Sequence, residues 1–213
     1  MFNKLIKLLV TIAIFYQTPV YSKSASFNDF NSRDLTNYFS GIVAYEDNDN
    51  TEALKFFNAS KVLLNKHDAY LERYIYSLVL ENKVVPAINV IKNSNNDLNL
   101  NFFDAYVLLI VDSLKKNNFD LAKKYLNLSL KFQNQSKFNL VIFESLRKYL
   151  YTFKNKKILF DKKNLGTISI INQALQRCYL KKDSAKSFFL NLINNPDGDY
   201  SRYIFFYINY LIE

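Results

Sequence analysis

One spacing recurs along this chain at a nearly constant interval. In residues 50–57, 84–91 and 119–126 an alanine (Ala53, Ala87, Ala122) stands four positions before a large apolar residue (Phe57, Ile91, Leu126). Ala53 to Ala87 is 34 residues, and Ala87 to Ala122 is 35. Residues four apart share one helix face. A small residue there lets two helices approach, and the large one fills the seam. Each stretch comes at a polar turn: Asp47-Asn48-Asp49-Asn50, Glu81-Asn82-Lys83 or Lys116-Asn117-Asn118. Asn and Asp close turns because their side chains bond nearby backbone and tolerate left-handed geometry. Before the second turn, Leu71, Tyr74, Ile75, Leu78 and Val79 keep helical spacing, as do Phe119, Ala122, Leu126 and Leu130 after the third. Pro86 falls in a first helical turn, where its missing N–H costs little. Three Gly and three Pro are too few for a β domain rich in tight turns. The reading is an all-α chain of helix–turn–helix units.

A period of about 34 residues in helix–turn–helix units is the tetratricopeptide signature. The chain resembles a tetratricopeptide-repeat protein. The family's small first-helix residue is matched by Gly41, while Ile75 and Ile110 take that place in the next two pairs. Its aromatic at the start of the second helix is matched by Phe119, where Asn50 and Val84 stand in the other pairs. Residues 38–126 are similar to the opening repeats of exported tetratricopeptide proteins of alphaproteobacteria. The resemblance implies a right-handed α–α superhelix, a solenoid of antiparallel helix pairs. Its first helices line a concave groove that takes a protein or peptide. Phasing on the period puts Tyr38, Tyr45, Glu72 and Tyr76 near that groove.

Residues 27–132 thus form three helix pairs. Residues 133–213 form degenerate ones. A long helix is expected over Phe138–Phe153, followed by the short basic stretch 154–163. Gly166 opens a new unit with a first helix over Ile168–Leu180. Asp183 is the expected N-cap of the next helix, in which Ala185 and Phe189 repeat the small-then-large spacing. A turn at Asn195-Pro196-Asp197-Gly198 precedes an unpaired last helix over Tyr200–Ile212. Terminal repeats need a polar cap, so this Tyr-, Ile- and Phe-rich helix either caps the stack itself, marks a shortened chain, which is the favoured reading, or docks on a partner.

Residues 1–26 have the order of a secretory signal peptide. Lys4 and Lys7 precede the apolar run Leu8–Tyr16, and small residues follow at Ser22, Ser24, Ala25 and Ser26. Cleavage is expected near 22–25. The run is shorter than the ~20 residues of a membrane span. Export to a bacterial periplasm follows, with an uncleaved inner-membrane anchor as the alternative.

Charge divides the chain. Residues 27–114 carry seven basic and twelve acidic side chains, and residues 115–186 carry seventeen and four. The basic half, with Lys154, Lys156, Lys157, Lys162 and Lys163 at its centre, offers an anionic membrane surface as an alternative partner. The plainer reading is solvated lysine on outer helix faces. Nucleic acid fits the charge but conflicts with export.

Catalytic motifs are missing. His67, the single histidine, sits in a turn and reads as solvent-exposed; a zinc site or triad needs more. Cys178 reads as a buried inert thiol despite neighbouring Arg177. Gly41, Gly166 and Gly198 stand alone, so no phosphate loop exists. Asp47-Asn48-Asp49 lacks the glycine and distant glutamate of a calcium loop. The sequence therefore points to a non-enzymatic scaffold with no metal, cofactor or small-molecule substrate.

Overall fold

The structure is a computed structural model that describes residues 31–64, 66–94, 100–160, 163, 165–196 and 198–212. The expected signal segment, Lys162 and Asp197 lie outside these. Among the described residues there is no strand, and ten α-helices pack in neighbouring pairs. They are α1 (Ser32–Glu46), α2 (Asn50–Ala59), α3 (Asp68–Leu80), α4 (Val84–Ser94), α5 (Phe103–Lys115), α6 (Phe119–Leu128), α7 (Lys137–Asn155), α8 (Thr167–Tyr179), α9 (Ala185–Ile193) and α10 (Ile204–Ile212). The all-α expectation holds. Among these helices none is long and apolar enough to cross a membrane.

The turns within pairs share one geometry. Asn48, Asn82 and Asn117 have φ of 62°, 57° and 56°. After each, the next amide reaches back to the helix: Asp49 to the Ala44 carbonyl at 2.9 Å, Lys83 to Leu78 at 2.8 Å, Asn118 to Ser113 at 2.9 Å. These are Schellman closures, in which a left-handed residue satisfies the last carbonyls of a helix. The fourth copy joins α8 to α9, with Lys181 left-handed and the Lys182 amide on Arg177 at 3.0 Å. Asp49 and Asn118 then cap the following helices, accepting from the Glu52 and Leu121 amides. Replacing Asn117 by valine should cost about 1–2 kcal/mol, the penalty of left-handed backbone with a branched side chain. Glycine there should stay within about 0.5 kcal/mol of wild type. Urea unfolding of the two variants checks the pair.

The repeating small and large positions are the core. Ala53, Ala87 and Ala122 are fully buried, as are Phe57 and Ile91, with Leu126 nearly so. One continuous apolar cluster runs from Tyr38 on α1 to Leu150 on α7. A second, smaller cluster holds Ala174, Ala185 and Phe189, with Tyr203, Tyr207 and Tyr210 packed against it. The α7–α8 seam between them is partly polar: Thr152 Oγ1 lies 3.2 Å from Gln176 Oε1, and Asn172 donates to Ser145 at 2.9 Å.

Three local expectations need correction. First, α6 stops at Leu128 and tightens into a 3-10 turn, Ser129–Phe132. The buried Ser129 hydroxyl caps the Leu126 carbonyl at 2.8 Å. Leu130 therefore leaves the buried stripe and is exposed. Second, α9 begins at Ala185 after Ser184, without a side-chain cap, so Asp183 is not its N-cap. Third, Cys178 is half-buried rather than buried, because it sits on the flank of α8 beside the second cluster. In α10 the tyrosines face inward, while Phe205, Ile208 and Leu211 on the outer side are exposed.

Candidate binding surfaces

The first helices α1 and α3 bring three of the four expected groove residues together. Tyr45, Glu72 and Tyr76 are each half-buried. Tyr76 donates to Asp104 Oδ2 at 2.7 Å, which links α3 to α5. Burial raises the Tyr76 phenol above its ordinary value. The bond to Asp104, the Asp104 charge, Glu72 and Tyr45 all push the same way. The phenol therefore stays neutral and donates. The surface is amphipathic and acidic, with aromatic area beside two carboxylates.

Tyr38 departs from expectation. It is only 3% exposed, because its ring packs against Phe57 and Tyr70 at 6.2 and 5.6 Å between centroids. Gly41 one turn on leaves room for that packing. Only the Tyr38 hydroxyl reaches the polar edge, where Arg73 Nη1 donates to it at 3.1 Å. His67 is exposed as its turn position suggests, and its Nε2 lies 3.2 Å from the same hydroxyl. Asp104 and Arg73 were invisible to the phasing. Asp104 lies in the first turn of α5, and a period read from apolar residues does not report which polar neighbours meet across it.

The described basic residues have different partners. Lys154 pairs with Asp120 at 2.6 Å. Lys156 bonds the Tyr179 hydroxyl and stands over its ring at 4.6 Å. Lys163 bonds Glu144, and Lys157 is exposed. Lys154 and Lys163 instead share a groove of about 780 Å³ between α6 and α7.

No family model, curated protein or solved structure matches this chain. The two surfaces themselves must carry the functional reading.

The α6–α7 groove is organised around Glu144, whose side chain is 1% exposed. Gln133 Nε2 donates to it at 3.0 Å, Arg147 Nε at 2.7 Å, and Lys163 from the segment after α7. Burial alone would raise this carboxyl. The bonds from Lys163 and Arg147 outweigh it and hold the group below the usual range. Sequence reasoning passed over Glu144. The available signal was an acid inside an apolar helix stripe, within a strongly basic half.

Asp47 and Asp49 serve the first turn, where Asp49 caps α2. Among the described residues no group of three or more His, Cys, Asp or Glu is placed to hold a metal ion.

Proposed function

We propose that this chain is a non-catalytic tetratricopeptide-like scaffold, exported to a bacterial periplasm, which binds a protein or peptide on its first-helix face. The carrying observation is the cluster of Tyr45, Glu72, Tyr76 and Asp104, contributed by three successive first helices. Such a cluster offers aromatic area at low entropy cost and carboxylates that set polarity. Its occupant is a segment with apolar anchors and basic flanks. Regular Schellman turns and the 34- to 35-residue interval support a superhelix in which this face is concave. The order of residues 4–26 supports export, with cleavage near 22–25.

A photo-crosslinking residue placed at Tyr45 or at Tyr76 in the exported protein should trap the same partner. One placed at Lys124, exposed on α6, should not. Glu72→Lys should abolish capture without changing the circular dichroism melt. Equal trapping from Lys124 would remove the face from consideration. N-terminal sequencing tests export separately: a chain retaining Met1 in the membrane fraction contradicts the cleaved form.

A further inference from the structure

In the first three pairs a three-residue turn leads straight from first helix to second: Asp47–Asp49, Glu81–Lys83 and Lys116–Asn118. The second helix then covers its first, α2 on α1, α4 on α3 and α6 on α5. The fourth pair breaks this rule. Lys156 is left-handed, with φ of 53°, but among the described residues no helix stands between α7 and α8. The next described helix is α8, which packs on α7 in the place of the next first helix. So α7 touches α6, α5 and α8 but, among the described residues, has no second helix of its own.

What this omission leaves is the groove between α6 and α7. Its floor is apolar, formed by Leu126, Phe143 and Leu150, with exposed Leu130 and half-buried Leu159 at its margins. Its described lining carries Lys123, Arg147, Lys154 and Lys163 against one carboxylate, Glu144. Glu144 is already held by Arg147, Lys163 and Gln133. At one end, Lys154 pairs with Asp120, whose side chain is 88% exposed. Water screens such a pair, so an incoming carboxylate competes for Lys154 at little cost.

We propose that this groove seats one helix of a partner protein, in place of the missing second helix of the fourth pair. The apolar floor selects an amphipathic helix with a small residue followed four positions later by a large one, the spacing that Ala53 and Phe57 use within the chain. The cations select acidic residues along the edges of that stripe. The length of α6, ten residues, matches an occupant of about three turns or 15 Å. This site is separate from the acidic first-helix face and calls for the opposite charge in its ligand.

The test uses three fluorescent fourteen-residue peptides, a length of about four turns. The first has an Ala–Leu stripe flanked by Glu, the second the same stripe flanked by Lys, and the third Glu flanks with the stripe changed to Gln. By anisotropy, the purified chain should bind only the first, and more weakly as salt rises. The exposed-residue double variant Lys123→Glu/Lys154→Glu should lower that affinity at least about tenfold with an unchanged melt. Tyr76→Ala should leave it unchanged, so loss of the first-helix reading would not disturb this one. Equal binding of the Lys-flanked peptide, or no binding of the Glu-flanked one, overturns the proposal. So does sedimentation with phosphatidylglycerol vesicles, or dimerisation on gel filtration, abolished by the same double variant. Those results would assign the groove to a membrane surface or to a second copy of this chain.

Discussion

Phe57→Ala is expected to lower stability by about 4 kcal/mol, and its loss should reverse the effect of enlarging Gly41. Phe57 is fully buried, its ring meets Tyr38 and Tyr70, and its carbonyl accepts the Tyr70 hydroxyl. Removing such a ring costs about 3–5 kcal/mol, more where neighbours cannot collapse into the space. A Cβ at Gly41 would meet the Phe57 ring at 2.8 Å, closer than van der Waals contact allows. That ring is walled in by two buried tyrosines and cannot swing aside. Overpacking of this kind costs about 1–3 kcal/mol, while alanine in a helix interior recovers about 1 kcal/mol over glycine. Gly41→Ala should therefore destabilise the native chain by about 1 kcal/mol. In the Phe57→Ala background only the helix preference remains, and the same substitution should stabilise by about 1 kcal/mol. Urea unfolding of the four proteins closes the cycle. An identical effect of Gly41→Ala in both backgrounds would mean that the ring and the glycine are not in contact.

The same residues show how far the sequence could be read. Ala53 and Phe57 announced the seam because two positions four apart are enough to define a helix face. The Asn-centred turns were legible too, since Asn48, Asn82 and Asn117 are chemically suited to the left-handed closure they make. Leu130 was misread because the stripe assumed 3.6 residues per turn beyond Leu128, where the backbone tightens. Asp183 had the right side chain for an N-cap, but the Schellman closure at Lys181 and the turn after it set the start of α9 at Ala185.

Tyr38 was assigned to a groove by its phase. Phase locates a Cα on a face, but it does not tell whether a neighbour as small as Gly41 lets a ring sink inward. The charged sites were the least legible. Tyr76 and Asp104 belong to successive first helices. Lys163 reaches Glu144 from 19 residues away through a segment with no helical period. The trace this region leaves in the sequence is negative: 34 and 35 residues after Ala122 stand Lys156 and Lys157, where the interval calls for a small residue.

Glu144 offers the second large effect, and its sign depends on pH. In the native protein burial works against the carboxylate, while bonds from Lys163 and Arg147 favour it more strongly, so the folded group titrates below its ordinary value of 4.5. Its contribution to stability is thus fully present above about pH 4.5 and is lost as the pH falls through the lower folded value. Arg147→Met/Lys163→Met removes both cations and leaves Gln133 as the remaining partner seen for that carboxylate. Burial then dominates, and the folded group titrates above the unfolded one. The expected loss at neutral pH is about 3 kcal/mol, the lower end for an uncompensated buried charge, because the adjoining groove admits water. The pH dependence should also invert, since the unfolded chain now ionises more readily than the folded one. The double variant should gain stability as the pH falls from about 7 towards 5, where the native protein is flat. Adding Glu144→Gln to the double variant should recover about 2 kcal/mol at neutral pH and abolish the inverted slope, because the buried group can no longer ionise. In the native background the same substitution should cost about 1 kcal/mol, because water can serve the half-exposed Arg147 and Lys163 side chains. Urea midpoints measured across this pH range decide the matter. A double variant with the native slope would show that Glu144 draws its ionisation from elsewhere than these two cations.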